Sequence, residues 1–558
     1  MARYMTKYGQ RFGRRCSGAL IALLLTGTAH PETRYEPDTV AQGQPVTLDS
    51  GDVDGKALVS GVGAYLGIPY AAAPVRELRW RDPQPVPHWN GTFHADRFGP
   101  ECLQVLRRKD LNHYFGEEPT SEDCLFLNVW TSPKAERGAK LPVIVFIHGG
   151  GFTLGSSGMA MYSGQEVAAK GAIFVNFNYR VGALGFMAHP ELAAESPHHT
   201  SGDYGFLDMV AALEWVQRNV AAFGGDPHNV TIAGQSAGSA AVSALAASPR
   251  AAHLFQRGMA MSLSFFDRRL ALLSNADGEK TGLEIQKALG AKSLADLRNV
   301  PGDRIVALQQ DCQLGCGAGN VRIWPTVDRY FLPDTVEAIF AAGRQNDVPM
   351  VTGFTRDESF SALRTAANKD AYVAEARKAY GAQAERFLAL YPAADDPQAH
   401  EMGLLSARES QAELGHWQWG RAQRATGSAP YYLYMFSRVH PIAPDATFFD
   451  DPRRIGAYHT SDVPYWFGTQ DAFNLYRTTR NWTTFDRRLS SRMLDTLLAF
   501  ARTGSPATPE TPWPQWTTDL PRYVEFGDTV GVRMESNARL EFQSEANVAS
   551  PPARSGRD

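Results

Sequence analysis

Three apolar runs rich in β-branched residues recur in the first half of the chain. They are Leu141–His148, Ala172–Asn178 and Asn229–Ala233. Each is followed by glycine-containing or turn-like sequence, which is typical of buried parallel strands. Before the third run, residues 205–223 place apolar side chains at mostly helical spacing, and Phe-Gly-Gly-Asp-Pro at 223–227 ends that pattern. A strand, a helix and a strand in succession predict a parallel crossover.

Beyond Pro249 the pattern is less regular. It predicts helices over Asp277–Leu289 and Ala371–Leu390 and strands over Val348–Gly353 and Tyr431–Phe436. No internal repeat, long charge block or Gly/Ser linker divides the 558 residues. We therefore expect an α/β fold in which helices flank a large, mostly parallel sheet and long helical insertions are added. A single domain over 30–545 would then be followed by a flexible tail over 546–558.

The first residues have the order of a secretory signal peptide. A basic start precedes a short apolar run, Ala19–Leu25, and the small residues Gly27 and Ala29. The run is too short to span a bilayer. A buried first helix is the alternative interpretation. We expect a signal peptide over 1–29, cleavage near Ala29 and a secreted or periplasmic protein, with no stable membrane span.

Charge and cysteine content indicate which partners, disulfides and metal sites to expect. With 55 Lys+Arg against 59 Asp+Glu, the net charge of -4 provides no basic field for nucleic acid, which is not expected as a partner. Four cysteines follow the predicted signal: Cys102, Cys124, Cys312 and Cys316. In an exported protein, their local spacing favours disulfides 102–124 and 312–316 over the two crossed pairings. A zinc site is less favoured because neither pair has a two-residue spacing.

The strongest chemical signal is Gly234-Gln235-Ser236-Ala237-Gly238, which lies between an apolar strand and an Ala-rich helix. A turn sharp enough to expose a serine needs flanking positions without side chains, as Gly234 and Gly238 provide. Ser236 is therefore predicted to be a nucleophile. The backbone NH of Ala237, at the start of the helix, would face a developing oxyanion. The alternative is a glycine-rich turn with an exposed serine.

A second glycine-rich segment follows the strand at 142–147, where His148 precedes Gly149-Gly150-Gly151. Three glycines leave backbone NH groups unobstructed, as an oxyanion hole requires. A phosphate-binding loop is not favoured because the Lys-Ser/Thr pair of nucleotide loops is missing. His148 is interpreted as a structural residue of the loop rather than a catalytic one.

With these two motifs the chain resembles the type-B carboxylesterases, which include cholinesterases and bacterial p-nitrobenzyl esterases. Four more segments stand in family order: Gly67–Ala71, Glu122–Trp130, Asn178–Gly182 and Phe223–Pro227. The resemblance covers nearly all of the chain that follows the predicted signal. It implies an α/β-hydrolase fold and a secreted carboxylic ester hydrolase that acts on a small-molecule ester and needs no metal or organic cofactor.

The resemblance also implies a Ser-Glu-His triad whose acid and histidine follow the serine along the chain. Glu358 aligns with the acid, and Asp357 is its most easily confused neighbour. His459 aligns with the base, and His440 is the competing histidine. The oxyanion hole would consist of the NH groups of Gly150, Gly151 and Ala237. The substrate would acylate Ser236, and water would then release the acid.

Other positions receive structural roles from the same resemblance. They are the ion pairs Arg79–Glu122 and Arg180–Asp208, the disulfide Cys102–Cys124 near the substrate gorge, and Asp462 as a buried acid close to His459.

Two residues depart from the family pattern. Gln235 stands where cholinesterases and many bacterial relatives carry glutamate, and Tyr114 stands where cholinesterases carry the tryptophan that stacks on quaternary ammonium. Choline esters are therefore poor candidates. Non-catalytic adhesion proteins share the fold but typically lose the nucleophile, so a binding module is the alternative function. A lipase, an amidase, or a carbamate or toxin-ester hydrolase is a further alternative, and the sequence leaves the natural ester and the oligomeric state open.

Overall fold

Buried apolar strands form the middle of the molecule, as their unbroken hydrophobic runs predict. The computed structural model describes residues 38–105, 111–112, 119–136, 138–310, 323–449 and 451–549. All of these residues fall within one compact unit, and the helix at its end runs to Ala549, into the segment predicted as a flexible tail. The predicted signal peptide at 1–29 lies outside the described residues.

The strands are β1 Thr39–Gln42, β2 Val46–Leu48, β3 Gly51–Asp54, β4 Lys56–Leu58, β5 Gly63–Pro69, β6 Thr92–His94, β7 Glu101–Cys102, β8 Thr120–Ser121, β9 Phe126–Thr131, β10 Leu141–Ile147, β11 Ile173–Phe177, β12 Gly225–Gln235, β13 Arg257–Met261, β14 Leu273–Ser274, β15 Thr326–Val327, β16 Met350–Thr355, β17 Tyr431–Phe436, β18 Arg522–Phe526 and β19 Val530–Met534.

The helices are α1 Gln165–Ala169, α2 Gly182–Phe186, α3 Pro190–Glu195, α4 Tyr204–Asn219, α5 Ala237–Ala247, α6 Asn275–Ala288, α7 Leu294–Arg298, α8 Gly302–Gln310, α9 Val336–Ala341, α10 Lys369–Tyr380, α11 Ala384–Leu390, α12 Asp396–Glu409, α13 Ala412–Thr426, α14 Val463–Phe467, α15 Thr484–Thr503 and α16 Asn537–Ala549. Within the described ranges, no helix is both long enough and apolar enough to cross a membrane.

A twelve-stranded sheet runs through the molecule in the order β1-β4-β5-β9-β11-β10-β12-β13-β16-β17-β18-β19. From β11 to β18 every neighbouring pair is parallel, and the pairs outside this range are antiparallel. Helix α4 connects β11 to β12, which lie on either side of β10 in the sheet. The prediction of an α/β fold with a large, mostly parallel sheet and flanking helices is confirmed.

The sheet is covered on both faces, as β10 shows. Val143, Val145 and Ile147 belong to one hydrophobic cluster, whereas Ile144 and Phe146 belong to a second cluster. Because successive side chains of a strand point to opposite faces, the two clusters lie on opposite faces of the sheet.

One predicted element differs from the structure. The helix predicted over 371–390 is divided into α10 and α11, with Gly381 between them. Gly381 has a φ of 51°, which a right-handed helix cannot contain and which glycine adopts without steric cost. The apolar spacing continues across the break, so periodicity alone did not reveal it.

The two predicted ion pairs and one of the predicted disulfides are present in the structure. Arg180, shortly after β11, donates from Nε and Nη2 to the Asp208 carboxylate of α4 at 2.8 and 2.7 Å. Arg79 donates from Nε to Glu122 at 2.7 Å. A disulfide joins Cys102 to Cys124, whereas Cys312 and Cys316 lie outside the described residues.

Replacement of Asp208 by Asn is expected to lower the free energy of unfolding by about 3–5 kcal/mol, because Arg180 would remain buried without a counter-charge. Urea denaturation followed by circular dichroism measures the change. The matched control is Asp471→Asn, which breaks a pair with Arg487 at a carboxylate that is 81% exposed and is expected to cost about 0–1 kcal/mol. Equal losses in the two variants would contradict a structural role for the buried pair.

Candidate active site

Ser236 lies in a tight turn between β12 and α5. Its backbone has a φ of 58° and a ψ of −121°, a combination that is unfavourable for residues with a side chain. A Cβ atom on Gly234 would lie 2.2 Å from the carbonyl oxygen of Gly238, and one on Gly238 would lie 2.1 Å from that of Ile147. Both glycines are therefore required by close contact between backbone segments.

The structure brings Ser236, His459 and Glu358 together in a hydrogen-bonded chain. Ser236 Oγ lies 2.8 Å from His459 Nε2, and His459 Nδ1 lies 2.6 Å from Glu358 Oε2. Glu358 follows β16, and His459 lies in the loop before α14, so the three side chains come from separate parts of the chain. With Nδ1–H donated to the carboxylate, the lone pair of Nε2 is available to accept the serine proton.

The acids around His459 shift its protonation. Burial lowers the pKa of His459, but the hydrogen bond and charge of Glu358 and the charge of Asp462 raise it, so that the net pKa lies above its ordinary value of 6.5. Asp462 is fully buried and accepts a hydrogen bond from Tyr434 Oη at 2.7 Å. Burial raises the pKa of Asp462 to about 6. Asp462 is therefore the buried acid that the sequence suggested.

Asp357, next to Glu358, has a different role. Its Oδ2 atom accepts a hydrogen bond from the backbone NH of Ala457 at 2.8 Å, and it forms an ion pair with Arg356. A Cβ atom on Gly456 would lie 2.3 Å from the same oxygen. Asp357 thus holds the loop that carries His459 and does not contact the imidazole itself.

The other two histidines considered are structural. His440 is buried, accepts a hydrogen bond from Tyr458 Oη at Nδ1 (2.9 Å) and donates from Nε2 to the carbonyl of Ser461 (2.7 Å). His148 is buried beside the glycine-rich loop, and its ring stacks on Tyr179 with 4.3 Å between ring centroids. The imidazole that hydrogen-bonds to Ser236 Oγ is that of His459.

The glycine-rich loop lies against the nucleophile. A Cβ atom on Gly149 would lie 2.9 Å from the Cβ of Ser236. Gly150 has a φ of 113°, and a Cβ there would lie 2.0 Å from the carbonyl of Leu154. Gly151 is exposed beside it, and Ala237 is buried at the first position of α5. Backbone NH groups from two segments therefore flank the Ser236 turn.

A cavity of about 280 Å³ opens onto Ser236 and His459. Among the residues that the structure describes, its lining includes, besides loop glycines and Thr460, Asn112, Leu154, Met159, Met161, Tyr162, Gln235, Phe360, Ile455 and Tyr458. Apart from Gln235, which the motif contains, the sequence reasoning missed these residues because they lie in loops and short turns without a motif or a periodic pattern. Tyr114, predicted to replace the cholinesterase tryptophan, lies outside the described residues.

Gln235, the departure noted beside the nucleophile, also contacts the base. Its side chain is buried, and Nε2 lies 3.3 Å from Nε2 of His459. The motif placed this residue next to Ser236, but only the structure shows that its amide faces the imidazole rather than solvent.

Comparison with known proteins identifies the family of the chain. The model of the carboxylesterase family matches residues 42–543. The chain is 34% identical over 494 residues to a fumonisin B1 esterase of Sphingopyxis macrogoltabida, with 86% of each chain covered. It is 31% identical to the para-nitrobenzyl esterase of Bacillus subtilis (strain 168), covering 85% of this chain and 92% of that protein.

A solved structure of a PNB esterase superposes with a TM-score of 0.74 at 28% identity, covering 90% of this chain and 99% of the other. The shared fold confirms the predicted α/β-hydrolase architecture. The family match and the full-length relatives together lead to one conclusion: this chain belongs to the carboxylesterase family and is a carboxylic ester hydrolase.

Proposed function

We propose that this esterase works through an acyl-enzyme on Ser236, with His459 as the general base and Glu358 as the acid that orients it. The observation that carries the proposal is the continuous hydrogen-bonded chain, 2.8 Å from serine to histidine and 2.6 Å from histidine to glutamate. Both distances lie within the reach that proton transfer requires.

In the first step, Ser236 Oγ attacks the ester carbonyl while His459 Nε2 takes its proton. The Glu358 carboxylate stabilises the imidazolium that forms. The negative charge on the former carbonyl oxygen is met by backbone NH groups of Gly150, Gly151 and Ala237, which need no reorganisation because their segments are fixed by backbone contacts. The imidazolium then protonates the departing alcohol, and the acyl group stays on Ser236.

In the second step, water enters the place of the alcohol. His459 removes a proton from the water, the resulting hydroxide attacks the acyl carbonyl, and the carboxylic acid leaves as Ser236 regains its proton. The same three residues therefore serve both half-reactions.

The pocket indicates a small or medium-sized ester with an apolar part. Methionine, leucine, isoleucine and aromatic side chains dominate the lining, and a cavity of about 280 Å³ lies near the lower end of ordinary ligand pockets. The relatives carry names as different as fumonisin B1 esterase and phenmedipham hydrolase, so the family does not identify the ester. A non-catalytic binding module has no use for the aligned chain of Ser236, His459 and Glu358, and this observation favours catalysis.

Replacement of Ser236 by Ala is expected to lower kcat for a 4-nitrophenyl ester by at least about 10⁴-fold, because no other group can carry the acyl intermediate. It should also abolish covalent labelling by a fluorophosphonate, detected by intact-mass spectrometry. The control is Ser239→Ala in the same helix, whose hydroxyl is bonded to the carbonyl of Leu263 away from the pocket. Labelling that survives in Ser236→Ala would overturn the assignment.

The activity is expected to rise with pH, because His459 must be neutral to accept a proton and its pKa lies above 6.5. Glu358→Gln removes the hydrogen bond and charge that raise this pKa, so the midpoint of the kcat/KM profile should move to lower pH while the plateau falls by about 10³–10⁴-fold.

The control for this shift is Asp357→Asn, which weakens the neighbouring loop contact without touching the imidazole. Its midpoint should stay at the wild-type pH whatever the rate. A Glu358→Gln midpoint at or above the wild-type value would contradict the proposed role of Glu358.

We also propose that the protein is exported. The basic start, apolar run and small-residue exit within residues 1–29 support this, as does the Cys102–Cys124 disulfide, since such bonds persist in oxidising compartments. In a Gram-negative host the full chain is expected in the periplasmic fraction with an N-terminus near residue 30, as read by mass spectrometry. A chain that lacks residues 1–29 is the control, and an uncleaved cytoplasmic product of the full chain would contradict export.

A further inference from the structure

Gln235 is buried between the nucleophile and the catalytic base. It is the last residue of β12 and is 1% exposed. Its backbone is fixed, because Gln235 pairs in parallel register with Met261 of β13 and the next NH group, that of Ser236, donates to the carbonyl of Met261 at 2.8 Å. The side chain therefore extends from a rigid strand end directly beside Ser236.

The glycine-rich loop determines which end of the Gln235 amide faces the base. A Cβ atom on Gly149 would lie 2.9 Å from Gln235 Oε1, so the amide oxygen lies against the backbone of that loop. The amide nitrogen lies on the opposite side, 3.3 Å from Nε2 of His459. The amide thus presents a hydrogen-bond donor to the imidazole.

Two donors share the lone pair of His459 Nε2. Because Nδ1–H donates to Glu358 at 2.6 Å, Nε2 of the neutral imidazole is an acceptor. Ser236 Oγ at 2.8 Å is the closer donor, and Gln235 Nε2 at 3.3 Å is the weaker one. An imidazolium carries a proton on Nε2, which would point at the N–H of the amide. The Gln235 contact therefore favours the neutral base over the charged one.

The acids near the imidazole act in the opposite direction. Glu358, after β16, and Asp462, in the same loop as the base, raise the pKa of His459 above 6.5. Tyr434 of β17 donates to Asp462 at 2.7 Å. His416 of α13 adds no charge, because burial lowers its pKa to about 4. The acids stabilise the imidazolium that forms during the reaction, but the resting enzyme needs a neutral base.

Three guanidiniums also surround the loop that carries the base, those of Arg356, Arg364 and Arg480. The first two bond to Asp357, and the third donates to Tyr458 Oη at 2.9 Å. Gln235 differs from these cations and from the acids because it contacts Nε2, the atom that takes the proton.

We propose that Gln235 is a positioning residue of the base: its amide nitrogen donates to the Nε2 lone pair and so keeps His459 neutral and directed at Ser236 between turnovers. The same contact would act in the acyl-enzyme. Acylated Oγ has no proton to donate, whereas the amide can still hold the lone pair toward the position that water enters. This inference rests on the proposed role of His459 and extends it to how the base is kept neutral.

Gln235→Met tests the donor, because methionine has a similar length but no N–H group. The midpoint of the kcat/KM profile for the neutral ester 4-nitrophenyl acetate is expected to rise by about 0.4–1 pH unit, the size of one lost hydrogen bond to the neutral base. A merely structural loss would lower the rate at every pH and leave the midpoint in place. A midpoint that is unchanged or lower would overturn the proposal.

The matched control is Gln423→Met, which removes another buried amide, one that donates to Asp347 at 2.8 Å. Its midpoint should stay at the wild-type pH. Circular dichroism and labelling by the fluorophosphonate verify that each variant is folded.

Gln235→Glu tests the contact independently of the donor, and it serves if Gln235→Met does not fold. A carboxylate of the same shape so close to Nε2 is expected to raise the midpoint by about 1–3 pH units, because it stabilises the imidazolium. An unchanged midpoint would overturn the proposed contact.

The proposed mechanism can fail separately from this inference. If labelling depends on Ser236 and Glu358→Gln lowers the midpoint, but Gln235→Met does not raise it, the inference alone is wrong. If labelling survives in Ser236→Ala, the mechanism itself is wrong.

Discussion

Close contact between backbones at the ends of β10 and β12 is the constraint on which the rest of the site depends. Ile147 pairs in parallel register with Gly234, and the carbonyl of Ile147 approaches Gly238 so closely that a Cβ there would lie 2.1 Å away. Backbone atoms cannot move aside as a flexible side chain can. The glycine-rich loop after β10 and the turn that carries Ser236 are therefore fixed relative to each other. The imidazole of His459 and the cavity walls pack around this fixed pair.

The adjacent acids Asp357 and Glu358 are chemically alike, but their positions give them different roles in the active site. Both follow β16, but Asp357 binds the backbone of the loop that carries His459, and Glu358 binds the imidazole of the same loop. Asp357 thus positions the loop that carries the base, whereas Glu358 orients the imidazole and raises its pKa. The two carboxylates together fix the position of the loop that carries His459.

Features that depend on local sequence were predictable, and those that depend on side-chain direction were not. Gly234 and Gly238 predict the turn, because a side chain at either position would clash with the backbone. The chain order of the triad predicted Glu358 and His459. The division of 371–390 into two helices escaped prediction because the apolar spacing continues across Gly381. The contact of Gln235 with His459 depends on two distant segments, and no local pattern encodes it.

Neighbouring charges shift the pKa values of two nearby histidines, His459 and His440, in opposite directions. The base requires negative charge nearby, and its pKa is raised by Glu358 and Asp462. A guanidinium against the same imidazole would lower that pKa, as Arg480 does for His440. Arg480 donates to Nδ1 of His440 at 3.3 Å, whereas Nδ1 of His459 lies 2.6 Å from the Glu358 carboxylate, so the first histidine stays uncharged and the second can hold a proton during the reaction.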